Sequence, residues 1–538
     1  MDPSQKRRAT IGHKGMGFKS VLEITDAPEV YSTTISFRFD PDEALRAVRT
    51  LVDAGVVAPV SRAPVTRFPW PVDRTPPEWA EMRGAGMRTA FRFPLRPRMT
   101  MEQRAWLADA LVNLPLTTLV FLKHFRRVEF AVCRDGKWLD RAWTVTRERL
   151  TEDGVDIGSG GEAGIYRVIL NPGRGDPEEF LLAHDDNLAI GEHSGGLDEF
   201  SWEGVEYTQV SVAARLKNGR PVPLAPDWRR LHVFLPSGEP CPYNLLVSGA
   251  FSTNLSRQEI RIEPDERNYN RFLLRHAARL MRDRLLPSLL QYGATVGEVL
   301  RLLDRGRTPG EPAGTGAAQA LYEEVRVALQ GLSFIPQEAG PLLAPAACVV
   351  PPLVQDVEVG RDFRTVLPAD ASFGGQSFPA PGLCGSDTAH ILADHGARTL
   401  GPTEAAAVLV DADTERSRVW LDLERGVAVD PVLGVLERLW EGLDALGRSE
   451  FADAVRRHPL CPVGIGPNKA AHRIAIEHLE CFYLPRSLRG EVPLDGLCFL
   501  ASDLCWGALT PKERNSVLRQ QMEAWHALFG VREFKSLM

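Results

Sequence analysis

"IGHKGMGFKS", residues 11–20, is a glycine-rich loop that runs into Lys-Ser, the dress of a phosphate-binding loop. The P-loop pattern is G-x-x-x-x-G-K-[ST], and Gly12 through Gly17 satisfy its first six places. The next residue should be Lys but is Phe18, with Lys19 and Ser20 one place late. In a P-loop the Lys follows the last glycine directly, so that its amine folds back onto the β- and γ-phosphates. A shift of one residue at the start of a helix turns a side chain by about 100°. A P-loop also follows a buried strand, and the residues before Ile11, "MDPSQKRRAT", are no strand. The loop needs a different reading.

The chain has 538 residues, which at about 150 per domain suggests three or four domains. Its net charge of −7, from 63 basic and 70 acidic residues, does not indicate nucleic acid or an anionic membrane as a partner. No apolar run approaches the ~18 residues of a membrane span, and the first residues carry no apolar core of a signal peptide. The eight cysteines never fall in C-x-x-C spacing, so neither a zinc site nor a disulfide framework is expected. They read as buried thiols, and the expected compartment is cytoplasmic.

Outward from the loop, "GFKSVLEIT" suits a short helix and "EVYSTTISFRFD" (29–40) alternates like a strand. A proline-rich stretch, "RFPWPVDRTPPEW", precedes a second strand, "MRTAFRFPLR" (87–96). "TMEQRAWLADALVNL" reads as a helix opened by a capping box of Thr100 and Gln103. Strands are then predicted at "RRVEFAVC", after a turn at Asp135-Gly136 at "WLDRAWTV", and at "GIYRVILN", "EEFLLAH" and "EYTQVSVAARL". "HDDN" (184–187) reads as a polar turn after a strand. "RRLHVFLPSG" and "NLLVSGAFS" prolong the β-rich region, and an amphipathic helix is predicted from Asn270 to Leu290, with Leu273, Ala277, Leu280 and Met281 on its apolar side. "RGRTPGEPAGTGAAQA" (305–320) is the expected linker. Beyond it the pattern is mixed, with a hairpin predicted at "AAAVLVDADTERSRVWLDL".

Set apart from the P-loop, the loop reads G-x-x-G-x-G-F-K-S-V. This resembles the second glycine box of the gyrase, heat-shock chaperone, histidine kinase and MutL (GHKL) ATPase superfamily, which has the Bergerat fold. Within it, "GHKGMGFKSVLEITDAPEVYS" is most similar to the sacsin-type ATPase domain. The resemblance implies that Gly12, Gly15 and Gly17 end an ATP lid and open a helix, with Lys14, Met16, Phe18 and Lys19 in the same cofactor-binding segment. The physics suits that role, because glycines let backbone N–H groups approach phosphate oxygens and a helix N-terminus favours negative charge. "MRTAFRFPLR" resembles the late strand that carries a Thr beside the adenine pocket, which makes Thr89 the matching position. "RRLHVFLPSGEPCPYNLLVSGAFSTNLSRQEIRIEPDERNYNRFLL" resembles the segment after the ATPase core, and its Arg257 matches a residue that would sense phosphate from a neighbouring domain. The resemblance covers about residues 11–290.

The implied cofactor is ATP, with Mg²⁺ expected for the family. The family's water-activating Glu and Mg²⁺-holding Asn lie on an upstream helix, followed by an Asp-x-Gly-x-Gly box that binds adenine. A helix with flanking strands takes about 30 residues, and eleven precede Gly12. The resemblance therefore implies that the adenine, metal and base half of the site comes from a missing N-terminal segment or a protein partner, and hydrolysis is expected only once it is supplied. The fold expected is α/β (α+β): a truncated two-layer Bergerat domain over 1–220, a second α/β domain over 221–304, the linker 305–320, and a mixed α/β region over 321–538. The other reading left open is a non-catalytic scaffold or binding module that keeps a degenerate ATPase fold. One charge pattern stands apart: Arg271, Arg275 and Arg279 follow one another at i, i+4, i+8, a helix face that suits an acidic partner.

Overall fold

The computed structural model describes residues 19–533, except 59–64, 73, 114–115, 135, 151–162, 174, 198–201, 255–258, 264, 266, 307–315, 411, 413–430, 466–469, 475–480, 484–497, 500–527 and 530–531. The chain is mixed α/β and folds as two units. The first comprises residues 1–146, 170–177 and 187–209; the second comprises 147–169, 178–186 and 210–538.

The first unit opens with a 3₁₀ turn, Lys19–Glu23. Strands β1 (Glu29–Ser32) and β2 (Phe37–Phe39) form a hairpin, not the single strand expected over 29–40. The reason is a local competitor to the ladder. The Ser32 hydroxyl accepts the amides of Thr34 and Ile35 at 3.3 and 3.0 Å and donates to the Ile35 carbonyl at 2.6 Å, folding "STTIS" into a turn. Helix α1 (Pro41–Asp53) follows because Asp40 caps it, accepting from the amides of Asp42 and Glu43 at 2.9 and 3.1 Å, with Pro41 in the first turn. Then come β3 (Pro69–Pro71), α2 (Pro77–Gly84) and β4 (Thr89–Arg92). The sheet order is β3-β2-β1-β4, antiparallel throughout. Trp79 of α2 is buried against Tyr31 of β1, ring centroids 6.2 Å apart, which holds α2 to the sheet. Helix α3 (Met101–Val112) carries the expected capping box, with Thr100 and Gln103 bonded reciprocally at 2.9 and 3.2 Å. After α4 (Thr117–Phe121), β5 (Arg127–Arg134) pairs with β6 (Lys137–Arg149), whose last three residues belong to the second unit. Gly136 takes the positive φ of +74° that their tight turn requires.

The second unit holds most of β7 (Ala163–Asn171), β8 (Glu178–Ala189) and β9 (Tyr207–Lys217) and all of β10 (Arg220–Pro221), β11 (Arg230–Val233), β12 (Leu235–Pro240) and β13 (Leu246–Gly249), which build a mixed sheet in the order β12-β11-β13-β9-β8-β7 with β10 on β9. The β11–β13 pair is parallel. Helix α5 (Tyr269–Leu280) buries Leu273 and Ala277 as predicted, but a π-turn, Met281–Leu285, separates it from α6 (Leu286–Gln291). Pro287 is the cause we identify: its ring would crowd the carbonyl four residues back, and the wider turn relieves that clash.

Helix α7 (Val296–Leu302) precedes the expected linker, and α8 (Gly316–Leu329) begins inside it. Arg305, also within 305–320, is buried. A last core gathers Phe363 of α9 (Val357–Thr365), Leu409 of α11 (Pro402–Leu409), Leu436 of α12 (Pro431–Gly442) and Phe451 of α13 (Ala445–Arg457), with α10 (Ser386–Asp394) between α9 and α11 in the chain. The first half of the hairpin expected at "AAAVLVDADTERSRVWLDL" is thus the helix α11. Pro402 at its first turn and Glu404, whose carboxylate accepts the Gly401 amide at 3.0 Å, start a helix where alternation alone suggested a strand. No helix among the described residues is long and apolar enough to cross a membrane.

Candidate functional site

Six of the predicted cofactor-binding residues, Gly12, Lys14, Gly15, Met16, Gly17 and Phe18, lie outside the described residues, as does Arg257. Lys19 is the first residue of the 3₁₀ turn that follows the loop. Thr89 is the first residue of β4, exposed, and paired with Ser32 of β1. Directly opposed residues of an antiparallel pair carry their side chains on the same face. Ser32 in turn lines a cleft of about 560 Å³ between the β1–β2 turn and α2. Its wall consists of Ser32, Thr33, Thr34, Ile35, Ser36, Thr75, Trp79, Ala80, Arg83 and Gly84.

This cleft is polar for a physical reason. The turn is built from hydroxyl residues that fold back on their own backbone, and α2 turns Arg83 toward them while Trp79 goes inward. Arg83 is exposed and forms no ion pair among the described residues. The volume falls in the usual range for small-molecule sites, about 300–1,000 Å³. A guanidinium and several hydroxyls fit the phosphates or sugar of a nucleotide. None of the residues lining the cleft is a carboxylate, so among the described residues it has no general base and no carboxylate metal ligand. No group of three or more His, Cys, Asp or Glu among the described residues is placed to hold a metal. Arg83 was not singled out in the sequence, since only the fold brings it beside Ser32.

"HDDN" is not a turn. Residues 184–187 lie within β8, where His184 and Asp186 share a face by strand alternation. The His184 Nδ1 lies 2.7 Å from the Ser211 hydroxyl of β9, and its Nε2 lies 3.8 Å from Asp186. A Ser, His and Asp in sequence contact have the elements of a nucleophilic triad. All three are buried, however, so a substrate carbonyl cannot reach Ser211; the group acts as a polar pin between the two strands.

The spelling Asp-x-Gly-x-Gly occurs in this sequence at Asp156–Gly160. It follows the glycine loop in the chain where the resembled family's box precedes it, and it lies outside the described residues. The arginine face of α5 meets acid within this chain: Arg271 and Arg275 each bring Nε to 3.2 Å from the Glu324 carboxylate of α8. Cys241, Cys348 and Cys384 are buried as expected, and Cys133 is exposed. Burial pushes the Cys241 and Cys348 thiols up to about 12, so they are not thiolates near neutral pH. Compared with protein-family models, curated proteins and solved structures, the chain matches none.

Proposed function

We propose that this chain is an ATP-binding protein of the sacsin-like GHKL type, with a Bergerat nucleotide domain that couples binding to domain movement in a chaperone-like or bacterial defence role. The observation that carries the reading is the loop from Gly12 to Ser20, whose glycine spacing suits backbone amides to phosphate oxygens. Lys14 and Lys19 add positive charge at the phosphates. Support comes from Thr89, exposed on an antiparallel sheet and opposite a residue of a nucleotide-sized polar cleft. Mg²⁺, when bound, would neutralise phosphate charge, and this chain's own part is to bind and orient the phosphates. Because the cleft is lined by no carboxylate, catalysis rests on groups from a partner polypeptide or an additional segment. The same observation favours a second reading in which the chain binds nucleotide without hydrolysing it, as a scaffold.

The test is calorimetric titration with ATP and Mg²⁺. The chain should bind weakly and prefer ATP little over inorganic tripolyphosphate, while Gly15→Val and Gly17→Val abolish binding by putting side chains where phosphate oxygens approach. Affinity unchanged in both variants would overturn the proposal.

A further inference from the structure

Arg271, Arg275 and Arg279 of α5 form a ridge that continues into the π-turn at Arg282. Opposite them stands α8, and between the two lies a second cleft of about 460 Å³, lined by Arg275, Arg279, Arg282, Glu324, Val327 and Ala328. Three guanidinium groups thus face one carboxylate. Glu324 is already shared, taking Nε of Arg271 and Nε of Arg275. Arg282 is held by its neighbour Asp283 through two bonds of 2.5 and 2.8 Å. Arg279 is exposed and has no carboxylate partner among the described residues, and the two terminal nitrogens of Arg275 have no acceptor among them either.

Like charges one helical turn apart destabilise a helix; Glu324 offsets this at Arg271 and Arg275, and an anion at Arg279 would offset the remainder. The π-turn that Pro287 imposes carries Arg282 onto the wall of the same cleft. Planar guanidinium forks match phosphate oxygens two at a time, which a flexible amine does not. Beside them Val327 is 64% exposed, an apolar surface next to a charged one. A volume of this size suits a small molecule rather than a flat macromolecular surface.

We propose that this cleft is an anion site for a small phosphorylated ligand, its phosphate held by Arg279 and the free nitrogens of Arg275 and its remainder lying over Val327. The proposed site shares no residue with the glycine loop and does not depend on the nucleotide reading.

The experiment uses the full chain carrying Gly15→Val, so that phosphate binding at the loop is removed, with inorganic pyrophosphate as the probe in calorimetry. Binding should persist, weaken as salt is raised, and fall about tenfold or more in Arg279→Ala, the loss of one charge-assisted contact. Arg279 is exposed, so that variant should fold. Asp283→Asn should tighten binding severalfold by releasing Arg282. Absence of pyrophosphate binding in the Gly15→Val chain would sink the proposal, as would equal affinity in Arg279→Ala. Displacement of pyrophosphate by an equimolar acidic peptide would overturn the assignment to phosphate.

Discussion

Arg305 and Asp394 meet through both carboxylate oxygens in the interior of the second unit, their side chains 1% and 5% exposed. The Tyr322 ring lies under the guanidinium, 4.0 Å from its carbon, and the Tyr322 hydroxyl donates to the Asp394 carbonyl at 3.1 Å. This ties the end of α7 to α8 and α10. Removing one member of a buried pair strands the other charge, which costs about 3–5 kcal/mol. Arg305→Met should lower unfolding stability by about that much. The double replacement Arg305→Met with Asp394→Leu should recover most of the loss, since apolar pairs of similar volume often substitute well. Urea denaturation of the two variants decides it: a single variant within ~1 kcal/mol of wild type would show that the pair is already compensated by water.

Stability should also fall as pH drops below neutral. His232 and His395 are buried, and desolvation lowers both from 6.5 to about 4. His395 packs 5.8 Å from the Tyr243 ring, and Asp394 beside it opposes the shift without reversing it. Between about pH 6.5 and 4 the unfolded chain binds protons at these histidines and the folded chain does not, so protonation favours unfolding across that window. His390 works the other way, raised by Asp304: its contribution is present below 6.5 and lost as pH rises. The net effect over the acid window is a loss on the order of a few kcal/mol. Urea midpoints measured at intervals across it should decline steadily. His395→Phe, which fills the space without a titrating group, should flatten that decline; an identical slope would show that His395 is not responsible.

Much of the β-rich region was legible because its signals are local. Runs rich in apolar, β-branched and aromatic residues mark β5 to β9, and Gly136 of the predicted turn takes the positive φ that glycine tolerates. The capping box at Thr100 and Gln103 needs only four residues to be read. The misses have one physical cause, a local competitor or a distant contact that periodicity does not register. "STTIS" looks like strand, yet the Ser32 hydroxyl closes it into a turn. Pro287 converts one turn of a predicted helix into a π-turn. "HDDN" looks like a turn because it is polar, but His184 finds Ser211 across the sheet, 27 residues away. At the candidate site Thr89 could be placed on its strand from sequence, whereas Arg83 beside Ser32 could not. Glu324, the acid that faces Arg271 and Arg275, lies 53 and 49 residues from them.

Gly360 of α9 tests the packing of the last core. A Cβ built there would stand 2.0 Å from the Cys384 carbonyl oxygen and 3.0 Å from its carbon. Both are backbone atoms, so no side chain can swing aside. Gly360→Ala gains helix propensity of about 1 kcal/mol, and overpacking against rigid backbone costs about 1–3 kcal/mol or more, so the variant should be destabilised. Thermal unfolding should show a lower midpoint; an unchanged or raised one would mean that α9 shifts freely away from Cys384.

The nucleotide reading makes Thr89 and Gly17 report on different parts of one ligand. In that proposal Thr89 would stand beside adenine, and Gly17 in the phosphate loop. Replacing Thr89 by Val keeps the β-branched shape on an exposed strand position, so stability should hold. What is removed is one hydroxyl, and a neutral hydrogen bond contributes about 0.5–1.5 kcal/mol, or about 2–10-fold in affinity. Thr89→Val should therefore weaken ATP by that factor and leave inorganic tripolyphosphate untouched, whereas Gly17→Val should lose both. Arg83→Ala should weaken both ligands in a salt-dependent way, because a lone guanidinium on the cleft wall attracts any polyanion. Parallel titrations of the three variants with the two ligands separate these patterns. Equal weakening of ATP and tripolyphosphate by Thr89→Val would place that hydroxyl at the phosphates and remove the case for an adenine pocket at β4. No effect of Arg83→Ala on either ligand would put the cleft beside Ser32 outside the nucleotide site.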